Sequence, residues 1–148
     1  MRIGVPKEIK PQENRIGLTP ESVKTLVSEG HQVLVQSNGG FEAGFENDQY
    51  IKAGAKIANS AADIFDDAEI IVKVKEPQKV EVEMIKENQI VYTYLHLAAA
   101  RELTEGLVKS KSINIAYETI TDDNGKLPLL APMSAVAGRM SVQAGAHC

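Results

Sequence analysis

The sequence predicts an α/β protein, a largely parallel sheet flanked by helices. Three observations carry that expectation. Short runs rich in β-branched residues, such as Gln32–Gln36 and Ile70–Val74, alternate with stretches whose apolar residues recur at helical spacing. The 148 residues are the common size of one domain, enough to bury about 70% of the surface the unfolded chain exposes. At 43% hydrophobic and 24% charged, the composition is that of a globular chain and excludes disordered and collagen-like classes.

Taken in order, Arg2–Val5 is the first strand, closed by Pro6, which cannot donate a ladder hydrogen bond. A long polar loop follows. Thr19 then caps a helix with Pro20 at its first position and Glu21 in its first turn; Val23, Leu26 and Val27 form the buried stripe and Gly30 supplies a left-handed exit. Gln32–Gln36 is the second strand, and Asn38-Gly39-Gly40 a turn whose glycines allow positive φ. A helix over 47–53 closed by Gly54, a short strand near Lys56-Ile57 and a turn or two of helix over 60–66 lead to the strand Ile70–Val74, ended by Lys75-Glu76-Pro77. Gln89–Tyr94 is a further strand, Leu103, Leu107 and Val108 mark a helix, and 113–117 form the last strand. From Pro132 to Ala146 small residues dominate. This spacing predicts a helix meant for close packing, with Met133, Val136, Ala137, Met140 and Ala144 on one face.

Several function classes drop out. Sixteen Lys and Arg against twenty Asp and Glu give a net charge of −4 with no dense basic stretch, so no nucleic-acid or membrane-surface partner is expected. The longest uncharged run, Asn88 to Ala100, is thirteen residues, below the roughly 20 that cross a hydrocarbon core. The N-terminus has no apolar signal region, and a cytoplasmic location is expected. A single cysteine, Cys148, permits neither an intrachain disulfide nor a Cys-based zinc site, and His147 beside it reads as incidental. Neither G-x-G-x-x-G, nor a phosphate-binding P-loop, nor a nucleophile elbow occurs. Asp66-Asp67 and Asp122-Asp123 read as solvated charges, so no metal is expected.

Ligands of parallel sheets bind outside the carboxyl ends of the strands. Three side chains leave that edge: Arg15 after the first strand, Lys75 after Val74, and His96 just past Tyr94. A guanidinium offers a fork for a carboxylate, an ammonium a compact charge for a carbonyl oxygen, and an imidazole a proton carrier near neutral pH. Together they suit a small 2-oxo acid. Each also has a plainer reading: Arg15 as a solvated loop cation, Lys75 in the string Lys73, Lys75, Glu76 as part of a surface β-edge or an ordinary ion pair, His96 as a satisfied core histidine.

Four ordered stretches carry a resemblance: Met1–Glu8 through Glu13-Asn14-Arg15-Ile16-Gly17-Leu18-Thr19-Pro20, Val72–Pro77, Tyr94-Leu95-His96-Leu97-Ala98, and Leu130–Gly138. The chain resembles the N-terminal part of alanine dehydrogenases and the related nicotinamide nucleotide transhydrogenases. This resemblance implies a Rossmann-like substrate domain over 1–131, with 132–148 starting a helix that links to an NAD-binding domain absent from these residues. It further implies that Arg15 and Lys75 bind substrate, that His96 is a catalytic acid/base, that Tyr94 lines the same pocket, and that Met133 and Ser134 meet the cofactor, NAD. The implied reaction is reversible oxidative deamination of L-alanine to pyruvate and ammonia, in a full-length form that is a homo-oligomer. The fragment itself is expected to be inactive alone. The competing readings are a non-catalytic binding or oligomerisation module and a transhydrogenase-like nucleotide-binding subunit, whose relatives generally lack the histidine.

Overall fold

The computed structural model describes Met1–Cys148. Its strands are β1 (Arg2–Val5), β2 (Gln32–Gln36), β3 (Lys56–Ala58), β4 (Ile70–Val72), β5 (Ile90–Thr93) and β6 (Ile113–Ala116). Its helices are α1 (Pro20–Ser28), α2 (Asn47–Lys52), α3 (Ala61–Asp67), α4 (Lys79–Val82), α5 (Arg101–Ser110) and α6 (Ala131–His147). The six strands form one sheet in the order β3-β2-β1-β4-β5-β6, and every neighbouring pair is parallel. Chain progression reverses between β1 and β4. Loops leaving these two strands therefore diverge, and a crevice opens at the carboxyl edge between them.

A parallel sheet needs cover on both faces, because its crossovers put a helix over each. One core packs Ile3, Val5, Val33 and Val35 against Val23 of α1 and Tyr50 of α2. The other packs Ile71 and Val91 against Ile64, Phe65 and Leu107. Thr19 caps α1 as expected, its Oγ1 accepting the Ser22 N–H at 3.3 Å, and Gly30 exits with φ 85°. Burial pushes the Tyr50 phenol up to about 12, and its hydroxyl donates to the Leu18 carbonyl at 2.9 Å.

The turn after β2 corrects one expectation. Asn38, not a glycine, takes the left-handed conformation, with φ 55°. The glycines are needed for space: a Cβ on Gly40 would lie 2.7 Å from the Tyr50 hydroxyl, and one on Gly39 2.9 Å from the Gln36 carbonyl oxygen.

Three strand ends also differ. β4 stops at Val72 rather than Val74: the Val74 N–H donates to the Glu8 side chain, while the Lys73 N–H still bonds to the Tyr92 carbonyl of β5. β5 is Ile90–Thr93, with Gln89 buried and its amide donating to the Phe65 and Ala68 carbonyls. β6 ends at Ala116, where Tyr117–Thr119 form a 3₁₀ turn. On α5, Leu107 faces the core while Val108 is 73% exposed. The single-turn helix α4 had no sequence expectation; Gln78 and Glu81 cap it reciprocally. On α6 no residue is buried, and Met133 alone of the expected packing face is partly covered. No helix is long and apolar enough to cross a membrane.

Candidate functional site

A cleft of about 280 Å³ lies at the carboxyl edge of the sheet. The loop after β1 contributes Arg15 to it, the loop after β2 Phe45, the end of β4 Val74, the end of β5 Tyr94, and α6 Met133. Gly17 makes this convergence sterically feasible. A Cβ there would sit 2.5 Å from the Val72 carbonyl oxygen, so only glycine lets the Arg15 loop lie against the end of β4.

Arg15 is half exposed and held by Glu13. Its Nε donates to Glu13 Oε1 at 2.7 Å, its Nη2 to Oε2 at 2.6 Å, and its backbone N–H to Oε1 at 3.0 Å. Nη1 lies 3.6 Å from the Met133 sulfur. One side of the guanidinium fork is thus taken by a carboxylate of the same chain, and its outer edge, Nη1 with Nη2, remains for a ligand. Hydrogen bonds from Arg15 hold the Glu13 carboxyl below the usual range against the opposing effect of burial, and the nearby charge of Lys75 lowers it further.

Tyr94 is 9% exposed and donates to the Leu129 carbonyl at 2.5 Å, fastening the segment before α6 to the sheet edge. Its ring meets that of Tyr117 edge-on, with centroids 4.8 Å apart. Burial raises the Tyr94 phenol, and the charge of Arg15 opposes the rise.

His96 stands beside the cleft rather than in its lining, its ring centroid 6.2 Å from that of Tyr94. Its side chain is 51% exposed, so it is not a core histidine. The backbone is left-handed, φ 51° and ψ 37°, a conformation costing on the order of 1 kcal/mol for a residue with a Cβ. Glu118 compensates by accepting the His96 N–H at 2.7 Å and the Leu95 N–H at 3.1 and 3.2 Å. Burial works to raise the Glu118 carboxyl, yet these donors outweigh it and hold it low. The imidazole Nδ1 lies 3.5 Å from Glu76 Oε2, a buried oxygen with no hydrogen-bond partner. The other Glu76 oxygen accepts from Lys10. Burial works to raise the Glu76 carboxyl, but Lys10, the backbone N–H of Glu76 and the nearby His96 together hold it low.

Lys75 is half-buried; its N–H approaches Glu8 Oε1 at 3.3 Å and its carbonyl accepts the Thr93 hydroxyl at 2.9 Å. Behind it lies a buried ion cluster. Lys73 is fully buried, with Nζ 3.1 Å from Glu8 Oε2 and 2.8 Å from Glu81 Oε1. The surface β-edge reading of this string therefore fails: β4 is an interior strand, between β1 and β5. Burial raises the Glu8 carboxyl, opposed by Lys73. Since Glu8 Oε1 also takes the Val74 N–H at 2.6 Å, the cluster fixes the peptide that carries Lys75.

Arg15, Tyr94 and Met133 thus share one cleft, with Lys75 and His96 beside it. Ser134 is not brought in; it is exposed on α6, its N–H donating to the Leu130 carbonyl at 3.2 Å. A larger hollow of about 710 Å³ between α4 and α5 contains none of the six candidates. Its charged lining mixes signs, Lys79 and Lys109 with Glu83 and Glu102, and offers no convergent cations. Sequence reasoning missed Glu8, Glu13, Glu76 and Glu118. Only Glu13 had a signal, its place two residues before Arg15.

The chain is 55% identical over 147 residues to an alanine dehydrogenase of Halomonas elongata, covering 99% of this chain and 40% of that protein. It is 51% identical over 147 residues to one of Geobacillus stearothermophilus, with 99% and 39% covered for the corresponding Staphylococcus epidermidis protein at 52% identity. It spans about 40% of the length of the curated relatives it matches. A solved L-alanine dehydrogenase superposes with a TM-score of 0.93 at 53% identity, covering 99% of this chain and 40% of that one. A transhydrogenase from Sinorhizobium meliloti superposes with a TM-score of 0.78 at 27% identity, covering 84% and 35%. Residues 4–137 match the family described as alanine dehydrogenase/PNT, N-terminal domain, and the chain belongs to that family.

Proposed function

We propose that this chain supplies the substrate half of an NAD-dependent alanine dehydrogenase acting on L-alanine and pyruvate. The observation that carries this is the grouping of Arg15, Lys75 and His96 at the carboxyl edge, where strand order reverses. The outer edge of the Arg15 guanidinium suits a substrate carboxylate, and Lys75 a carbonyl oxygen. His96, with Nδ1 toward Glu76, leaves Nε2 to move protons as amine, carbinolamine and carbonyl interconvert. Residues 1–131 act as the substrate domain and 132–148 begin the connecting helix.

The loop after β1 carries Glu8 and Glu13 where a dinucleotide fold carries glycines. It therefore does not cradle a pyrophosphate, and these residues do not by themselves fit NAD. Met133 and Ser134 are the chain's part in meeting the cofactor, to which the hydride chemistry belongs. The exposed imidazole of His96 favours a dehydrogenase over a transhydrogenase-like subunit, which moves no substrate protons.

The test is a chimera in which this chain replaces the matching segment of the Halomonas elongata enzyme. NADH formation from L-alanine is expected from the chimera and not from the 148-residue chain alone. A folded chimera without activity overturns the proposal. In the active chimera, Arg15→Lys is expected to raise the Michaelis constant for pyruvate about tenfold, because an ammonium cannot form two parallel bonds to a carboxylate. An unchanged constant would make Arg15 a loop cation only.

A further inference from the structure

We propose that Glu13 is a specificity-determining residue that leaves the cleft with cationic charge for one carboxylate only, and so selects small monocarboxylates over dicarboxylates; this rests on the substrate reading above. The Glu13 side chain is 8% exposed, and both its oxygens are engaged by Arg15. A carboxylate so placed is not a solvated loop charge. It is a fixed counter-anion to Arg15, the cleft's own cation, at a site whose expected ligand is itself anionic. Arg15 is thus already offset by a resident anion before any ligand arrives, and Lys75, which follows Val74 of the cleft wall, adds the second cation at this edge.

No third cation makes up the difference. Lys73 reaches the cleft wall, but it is fully buried and already paired with Glu8 and Glu81. The rest of the wall is largely apolar, including Ile16, Phe45, Val74 and Met133. A ligand with one carboxylate can use the outer edge of Arg15 and place a methyl group against this wall. A second carboxylate would meet a largely apolar wall with no uncompensated cation to take it, because the Arg15 charge is already offset by Glu13, and desolvating an unpaired carboxylate there is costly.

Removing the Glu13 charge while keeping its shape reverses this balance, since Gln still accepts from Arg15 but no longer neutralises it. The experiment is an NMR titration of the 148-residue chain with pyruvate and with freshly prepared oxaloacetate, which differ by one carboxylate. It compares the parent, Glu13→Gln and Glu13→Asp. In the parent, pyruvate is expected to bind more tightly. In Glu13→Gln the ratio of dissociation constants, oxaloacetate over pyruvate, is expected to fall about tenfold, whereas Glu13→Asp, which keeps the charge, stays within about twofold of the parent. A Glu13→Gln ratio within twofold of the parent, or an equal fall in Glu13→Asp, overturns the inference while pyruvate binding leaves the substrate reading standing. If neither anion binds the parent, both fall.

Discussion

Replacing His96 by alanine in the chimera is expected to lower kcat by about 10² to 10⁴-fold while the Michaelis constant for pyruvate moves little. The imidazole is half exposed beside the cleft, so it contributes little to holding the fold or the ground-state ligand. The role proposed for it is that of a proton carrier. Nδ1 lies 3.5 Å from a buried Glu76 oxygen that has no hydrogen-bond partner, so a proton on Nδ1 would be drawn to that side and Nε2 would be left for the substrate. The left-handed backbone at His96, held by Glu118, fixes where that ring leaves the chain. Steady-state kinetics decide the matter: near-parental turnover in His96→Ala would return the residue to a structural role.

The second large effect concerns stability. Lys73→Met is expected to destabilise the chain by about 3 to 5 kcal/mol, because it strands Glu8 and Glu81 without their shared cation in the interior. The loss should depend on pH in a definite direction. Burial raises the folded-state value of Glu8 above its unfolded one, so its contribution is favourable below the unfolded value and is lost as pH rises through the folded one. Without Lys73 that rise is steeper, and the deficit is expected to be larger at pH 7 than at pH 5. Urea unfolding at the two pH values checks this. A deficit below about 1 kcal/mol at both would show that the cluster is not the constraint it looks like.

Much of the fold was legible because local chemistry and periodicity agree. Thr19-Pro20 starts α1 and Gly30 ends it, and the apolar runs of β1, β2 and β5 sit in the interior of the sheet. The cations of the site were legible for a topological reason: in a parallel sheet, whatever follows a strand lies at one edge. Their anionic partners were not. Glu76 and Glu118 act through loops that meet only after folding, and nothing in their spacing separates them from solvated carboxylates; the one signal for Glu13 was its place two residues before Arg15. Lys73 misled for the opposite reason. A lysine within an apolar strand reads as exposed, because its burial depends on two carboxylates, one of them 65 residues away in sequence. The small-residue face of α6 signalled packing, yet the structure gives it only Met133 against Arg15. The turn at 38–40 shows a similar limit: glycine marks both free φ and tight space, and here it marks space.

A crystal structure of the chimera with pyruvate bound decides whether the Arg15, Lys75 and His96 grouping binds a small 2-oxo acid. The expected result has the carboxylate on the Nη1 and Nη2 edge of Arg15, beside Met133, with the keto oxygen within hydrogen-bond reach of Lys75 and of the His96 ring. Pyruvate seated instead in the hollow between α4 and α5, or elsewhere without contact to Arg15, would contradict it.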